Sequence, residues 1–182
     1  MGHMGDLTIQ SFAYLRGPLM LAGTAFLVGV VAGWRLTGRS QKLAIAAMLV
    51  LFLNAARWAM ITFDPYLSSE PLAQVLKQSP KGEVILDNQY YTFSSIFFYA
   101  PLERALLLNG RVNNLEYGSN EPGAPAVFLT DAELPARWRV PQRHYLFIEN
   151  PSVERVRGVL GADLHLVRTI GGKSLYTNLP LN

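Results

Sequence analysis

Residues 17–34 read GPLMLAGTAFLVGVVAGW, eighteen residues without a charge between Arg16 and Arg35. As a helix rising about 1.5 Å per residue, the run is about 27 Å long, close to the hydrocarbon thickness of a bilayer. Downstream, residues 43–63 read LAIAAMLVLFLNAARWAMITF, twenty-one residues in which Arg57 carries the single charge. The two runs predict transmembrane helices, with spans at about 12–34 and 43–63. Trp58 and Phe63 fall near the end of the second run, where aromatic rings and a snorkelling arginine are tolerated. As core helices of a soluble protein, the pair would need a larger apolar partner than the rest of the chain offers. The first run is too long for a cleaved signal peptide, and a second span follows it after a short connector.

Working outward from the spans, the charge of the chain takes on a meaning. The 182 residues are half hydrophobic and only 16% charged, with no cysteine. That composition excludes a disordered tail, a disulfide-stapled scaffold and a thiolate zinc site. The formal net charge of +3 invites a nucleic-acid reading, but it is unevenly spread. Residues 1–63 hold five basic side chains (Arg16, Arg35, Arg39, Lys42, Arg57) against one acidic (Asp6), a balance of +4. Residues 64–182 hold eleven basic and twelve acidic side chains, a balance of −1. No nucleic-acid partner is expected from such a split; the bilayer is. The connector 35–42 has three basic residues and no acidic one, which places it in the cytoplasm by the positive-inside rule. The chain is expected to lie in a membrane, with a transmembrane hairpin at 1–63 and an extracytoplasmic domain at 64–182.

Within the spans, Gly29-Val30-Val31-Ala32-Gly33 is a small-xxx-small pattern that lets helices approach closely. It serves either packing on the second span, through Ala44, Ala46 and Ala47, or docking of further spans. Asn54 and Arg57 share a helical face and point either to protein, to a wet cavity or, for Arg57, to the interface.

After the spans, Asp64-Pro65-Tyr66 reads as a helix stop, and Ser69 as the cap of a helix that runs to Gln78 with Pro71 in its first turn. Short apolar runs at 83–87, 104–108, 126–130, 144–149 and 164–170 read as strands. Helices are expected at 90–99, 130–138 and 152–160. Gly171-Gly172 is a hairpin signal leading into a last strand at 174–178. Strands alternating with helices predict an α/β fold with a mixed sheet and a C-terminal β-hairpin. The stretch 108–125 is long, polar and irregular, and such loops are more often functional than idle.

Chemistry is sparse. Gly171-Gly172-Lys173-Ser174 lacks the earlier glycine of a phosphate-binding loop, since Val167 stands there, and it lies between strands. No Gly-x-Ser-x-Gly elbow is present, and His3, His144 and His165 have no metal spacing. Neither a metal nor a cofactor is expected. Asp87, at the end of the first strand, and Glu116, in the long loop beside Arg111 and Tyr117, are the carboxylates placed to meet a ligand. A capping or loop-bracing role is the plainer assignment for both. The aromatic-rich segment 90–99 serves core packing, or faces the membrane surface or a lipid-linked substrate.

Four motifs occur in order: Tyr66-Leu67-Ser68-Ser69-Glu70-Pro71-Leu72-Ala73; Asn109-Gly110-Arg111 with Asn114-Leu115-Glu116-Tyr117-Gly118-Ser119; Ala124-Pro125-Ala126-Val127-Phe128-Leu129; and Gly171-Gly172-Lys173-Ser174-Leu175-Tyr176-Thr177-Asn178. With the two spans before them, from about Met4-Gly5-Asp6-Leu7-Thr8 onward, they resemble the C-terminal end of bacterial polytopic glycosyltransferases. These are the GT-C superfamily members related to aminoarabinose transferase and protein mannosyltransferases. The resemblance implies transfer of a sugar from a polyprenyl-phosphate donor to an envelope acceptor on the outer face of the bacterial inner membrane, with residues 64–182 in the periplasm. In that family the catalytic carboxylates lie in the first outer loop of the N-terminal half, which has no counterpart in these residues, so no catalytic residue is carried over. Activity is not expected from the chain alone. Its expected partners are the bilayer and a lipid-linked sugar or the missing catalytic transmembrane half. Arg111, Asn114, Glu116 and Tyr117 are the candidate substrate-binding residues, because the long polar loop converges on them. The alternative is a membrane-anchored extracytoplasmic binding module without catalysis.

Overall fold

The structure is a computed structural model that describes residues 11–181. The stretch 4–8 that opens the resemblance, and His3, lie outside the described residues. The described residues form two compact units, one ending at Asp64 and one beginning at Pro65.

In the first unit, a 3-10 turn (Ser11–Leu15) leads into α1 (Arg16–Arg35), and α2 (Gly38–Leu67) follows after two residues. Segments Ala13–Arg35 and Gly38–Asp64 are long and apolar enough to cross a membrane, and most of their surface is exposed. Most of the connector expected at 35–42 is therefore helical. Gly38 makes the turn at φ 64°, and the Gln41 side-chain amide donates to the Gly33 carbonyl at 2.7 Å, covering the open end of α1. Gly29 is buried, and a Cβ there would stand 2.7 Å from Met48 Cβ, so the glycine is what admits Met48. The Phe26 and Phe52 rings pack at 5.0 Å. The small-residue pattern thus packs on the second helix. It meets Met48 rather than Ala46 and Ala47, which are exposed. Asn54 donates to the Val50 carbonyl of its own helix at 2.8 Å. Helix α2 does not stop at Asp64-Pro65-Tyr66 but continues to Leu67. The proline forfeits one helical hydrogen bond and crowds the carbonyl four residues back, and the helix ends two residues after it.

The second unit is a three-layer α/β sandwich. Its elements are α3 (Glu70–Gln78), β1 (Glu83–Asp87), α4 (Tyr90–Phe93), α5 (Ile96–Tyr99), β2 (Leu106–Leu108), α6 (Leu115–Gly118), β3 (Phe128–Leu129), α7 (Leu134–Trp138), β4 (His144–Glu149), α8 (Val153–Leu160), β5 (His165–Ile170) and β6 (Lys173–Thr177). One sheet has the order β3-β2-β1-β4-β6-β5. The first four strands are parallel, and β6 runs antiparallel to both β4 and β5. The expected α/β class, mixed sheet and terminal hairpin are all present. Gly171 and Gly172 both take positive φ, as a two-residue hairpin turn requires.

Alternation along the strands sorts the core into two layers. Val84, Leu86, Tyr145 and Phe147 meet Leu72, Leu76, Phe93 and Ile96 from α3 to α5 on one face. Ile85, Leu146 and Ile148 meet Leu134, Trp138, Val156 and Leu160 from α7 and α8 on the other. The helix expected at 90–99 is two short turns, because the chain breaks at Ser94-Ser95. Ser69 precedes α3 but does not cap it: its hydroxyl donates to the Thr92 carbonyl at 2.9 Å, and Ser68 Oγ accepts the Glu70 amide instead.

Candidate functional site

From β1 the chain crosses to β2 and then β3 on one side, and returns to lay β4 on the other side of β1. The direction of winding reverses between β1 and β4. In open α/β sheets the carboxyl ends of the strands at such a reversal are where ligands bind. Asp87 is the last residue of β1 and is 1% exposed. Arg155, partly buried on α8 just after β4, donates to Asp87 Oδ1 through Nη2 and to Asp131 Oδ1 through Nη1. Asn109, the residue after β2, donates its amide to Asp131 Oδ1 at 3.0 Å. Three strand ends and one helix therefore converge on a cluster of two carboxylates, one guanidinium and one amide.

The backbone cooperates at this edge. Asn88 and Asn109 take φ of 61° and 52°, the left-handed region that asparagine tolerates better than most residues. Their amides donate to the carbonyls of Leu108 and Leu129 on the neighbouring strands, at 2.8 and 2.7 Å. Burial pushes the Asp87 carboxyl above its ordinary value, opposed by the Arg155 guanidinium and the Ser152 hydroxyl. Asp87 Oδ2 is buried with no hydrogen-bond partner among the described residues. Two carboxylates against one arginine leave the cluster with an excess of negative charge. Such a cluster accepts hydrogen bonds from hydroxyls or an amine, and with Arg155 spoken for it is not built to grip a phosphate.

The long loop springs from the same edge, after β2. Arg111 donates through Nη1 to the Ser119 carbonyl at 2.6 Å and to Asn120 Oδ1 at 2.7 Å, and its guanidinium lies 4.7 Å from the Phe128 ring centre. It ties the loop to itself. Asn114, Glu116 and Tyr117 sit at or in α6 and are exposed, Tyr117 at 80%. The Glu116 backbone carbonyl accepts from Ser119 Oγ and Asn120 Nδ2, which braces the turn. The four sequence candidates thus share one loop. Among the described residues no hydrogen bond or ion pair joins them to the Asp87 cluster. Asp131 and Arg155 escaped the sequence reading. The signal that points to Asp131 is the polar residue standing soon after each apolar strand, as at Asp87-Asn88, Leu108-Asn109 and Thr130-Asp131; no such signal marks Arg155.

Three other groups belong to the scaffold. Lys173 is 5% exposed, and its Nζ donates to Ser69 Oγ at 3.2 Å and to the Leu67 and Ser68 carbonyls at 3.4 Å. It closes the C-terminal end of α2, and burial holds its pKa below the ordinary lysine value. This agrees with the sequence argument against a phosphate-binding loop. At the opposite end of the sheet, Arg137 grips Glu83 with two hydrogen bonds of 2.8 Å, and His144 Nδ1 lies 3.2 Å from Glu83 Oε2. A shallow pocket of about 180 Å³ also lies there, lined by Trp138, Arg139, Val140, Asp163, Asn178 and Leu179, away from the Asp87 cluster. Among the described residues no three His, Cys, Asp or Glu side chains gather as a metal site would need.

No family model and no curated protein matches the sequence. Two solved structures are similar to it. ArnT from Cupriavidus metallidurans bound to undecaprenyl phosphate superposes with a TM-score of 0.67 at 14% identity, over 97% of this chain and 33% of that one. ArnT from the same organism in the apo state gives a TM-score of 0.49 at 14% identity, over 97% of this chain and 39% of that one. The chain therefore spans about a third of the length of the ArnT it matches, and the likeness to the first establishes a shared fold.

Proposed function

We propose that this chain is the C-terminal, membrane-anchored part of a GT-C glycosyltransferase that moves a sugar from a polyprenyl-phosphate donor to an envelope acceptor, and that it is non-catalytic alone. The observation that carries the reading is the fold match over 97% of the chain, helices and sheet together, to an ArnT holding undecaprenyl phosphate. The order of four motifs behind two spans points the same way. In this reading α1 and α2 lie in the bacterial inner membrane, and residues 64–182 form a periplasmic domain beside the acceptor side of an active site. The catalytic spans come from a missing half, in the same or another polypeptide. The partly exposed Asp131 carboxylate beside Asp87 and the loop bearing Arg111, Asn114, Glu116 and Tyr117 then present hydrogen-bond acceptors and a ring face to a sugar or acceptor.

The test is genetic and biochemical together. Purified chain in vesicles should transfer no sugar from a polyprenyl-phosphate-linked donor. Source membranes lacking residues 64–182 should lose transfer and regain it on complementation. Alanine at Glu116 and Tyr117 in the intact protein should weaken transfer by roughly tenfold, the worth of a lost hydrogen bond or two. Unchanged transfer with normal expression removes the loop from the site. Membranes that transfer normally without the domain, while the chain captures a defined envelope protein, establish the binding-module alternative in its place.

A further inference from the structure

We infer that Arg57 is a lipid-phosphate site, in the leaflet opposite the basic connector between α1 and α2. The inference rests on the reading of α1 and α2 as membrane spans and uses contacts within that pair alone. The positive-inside rule accounts for Arg35, Arg39 and Lys42 at the connector, but not for Arg16 and Arg57 at the other end of the hairpin. Residues 7–63 contain no acidic side chain to answer either of them. The first acidic residue to follow, Asp64, stands about 10 Å further along the helix axis. Arg57 is exposed, and among the described residues it has neither a hydrogen bond nor an ion pair.

Two contacts fix the level at which Arg57 stands. At one end of the hairpin the Gln41 amide reaches the Gly33 carbonyl. At the other the Trp58 ring lies against Gly17, where a Cβ would stand 2.6 Å from Cη2. The stretches between these contacts, 17–33 on α1 and 41–58 on α2, are each about 25 Å long. The uncharged run 17–34 of α1 is therefore matched by about 41–58 of α2. The hydrocarbon edge falls beside Trp58 rather than at Phe63, and tryptophan is enriched at such edges. Arg16 adjoins Gly17 and Arg57 adjoins Trp58, so one guanidinium on each helix marks the same level. Lipid phosphates begin there, within reach of an arginine whose stem lies along apolar surface. A guanidinium meets a phosphate with two parallel donors, and at this level no carboxylate of the described residues competes for it.

The full chain lacks cysteine, so a single nitroxide can be placed at Ile61→Cys, exposed and one turn from Arg57. The labelled chain is studied in phosphatidylcholine vesicles that also hold phosphatidylglycerol and a polyprenyl phosphate. Each lipid has its own phosphorus-31 resonance, and the nitroxide broadens the phosphates it meets. The inference expects an anionic lipid to broaden several-fold more than phosphatidylcholine. That preference should vanish in Arg57→Gln and survive in part in Arg57→Lys, which keeps the charge and loses the fork. Preferential broadening of phosphatidylglycerol supports the site with bulk phospholipid as the source. Preferential broadening of the polyprenyl phosphate supports it with that lipid as the source. Equal broadening of all three, or a preference that persists in Arg57→Gln, overturns it. A nitroxide shielded from every phosphate also overturns it and assigns this face to a protein contact. A second label at Leu27→Cys tests the premise by collision with oxygen and with a water-soluble nickel chelate. An aqueous signal at 27 overturns the spans and the site together, whereas lipid burial at 27 with equal broadening at 61 overturns the site alone.

Discussion

At the scale of single residues, charge burial decides which side chains matter. Asp87 ends β1, between β2 and β4, is buried and has Arg155 as its counter-ion. Removing one partner of a buried pair costs more than the pair contributes, because the remaining charge stays buried. Arg155→Met should lower the unfolding free energy by about 3 kcal/mol, and adding Asp87→Asn should recover part of that loss. Chemical denaturation of the three variants in detergent checks it. An equal loss in the single and double variants would assign the cost to packing. A second residue-scale prediction concerns pH. Burial keeps the His144 imidazole below its ordinary value of 6.5, against the pull of Glu83. The unfolded chain therefore takes up a proton below pH 6.5 that the folded chain resists, and stability falls as pH drops. Glu83 is held below 4.5 by the Arg137 hydrogen bonds, so its contribution is lost only at lower pH, as that group protonates in the folded state. Asp87 acts in the opposite sense, since a raised carboxyl favours the fold as pH falls. Thermal midpoints followed from neutral pH downward should decline first in a branch below pH 6.5. His144→Gln should flatten that branch and leave the acid-side decline.

At the scale of elements, the joint between α2 and the sheet is the most informative feature. Three oxygens at the end of α2 converge on one ammonium group, from Lys173 at the start of β6. A cation at a helix C-terminus meets the negative end of the macrodipole as well as unpaired carbonyls. Lys173→Met keeps the stem and removes the donors, so it should cost about 1–3 kcal/mol locally. Hydrogen exchange at the amides of residues 68–72 should speed up while β1 and β4 stay protected. Unchanged exchange would mean that the carbonyls find other partners. This joint also marks where sequence reading stops. The strands were legible because each is a short apolar run between turn residues, as with Glu83–Asp87 and His144–Glu149. The two glycines of the hairpin were legible because only their positive φ suits a two-residue turn. Ser69 was misread as a cap because its hydroxyl is claimed by Thr92, twenty-three residues away. The break at Ser94-Ser95 has the same origin, since Ser95 Oγ serves the Ser69 amide. Asp87 could be found by its place at a strand end. Arg155 could not, because an arginine on the open stripe of an amphipathic helix looks like any solvated charge until the fold brings β1 beside β4.

At the scale of the whole molecule, the balance of +4 in residues 1–63 and −1 in residues 64–182 becomes a statement about sidedness. Basic groups near a short connector resist passage across the membrane and gain from the anionic cytoplasmic leaflet, by about 1 kcal/mol each. Arg35, Arg39 and Lys42 cluster at the turn between α1 and α2, and no acidic residue offsets them. The α/β unit, at −1, is a long segment whose charges weigh little in setting orientation. The predicted orientation is therefore connector in, sheet unit out. Single cysteines at Ser40 and Tyr117, both exposed, report it directly. In intact spheroplasts a membrane-impermeant maleimide should label Tyr117→Cys and leave Ser40→Cys unmodified until the membrane is opened. Neutralising Arg39 and Lys42 to glutamine should produce a mixed population in which part of the Ser40→Cys chains become labelled from outside. Labelling of Ser40→Cys in sealed cells of the parent sequence would invert the topology. It would also remove residues 64–182 from the compartment in which a lipid-linked sugar is delivered to an envelope acceptor, and the proposed function would fall with it.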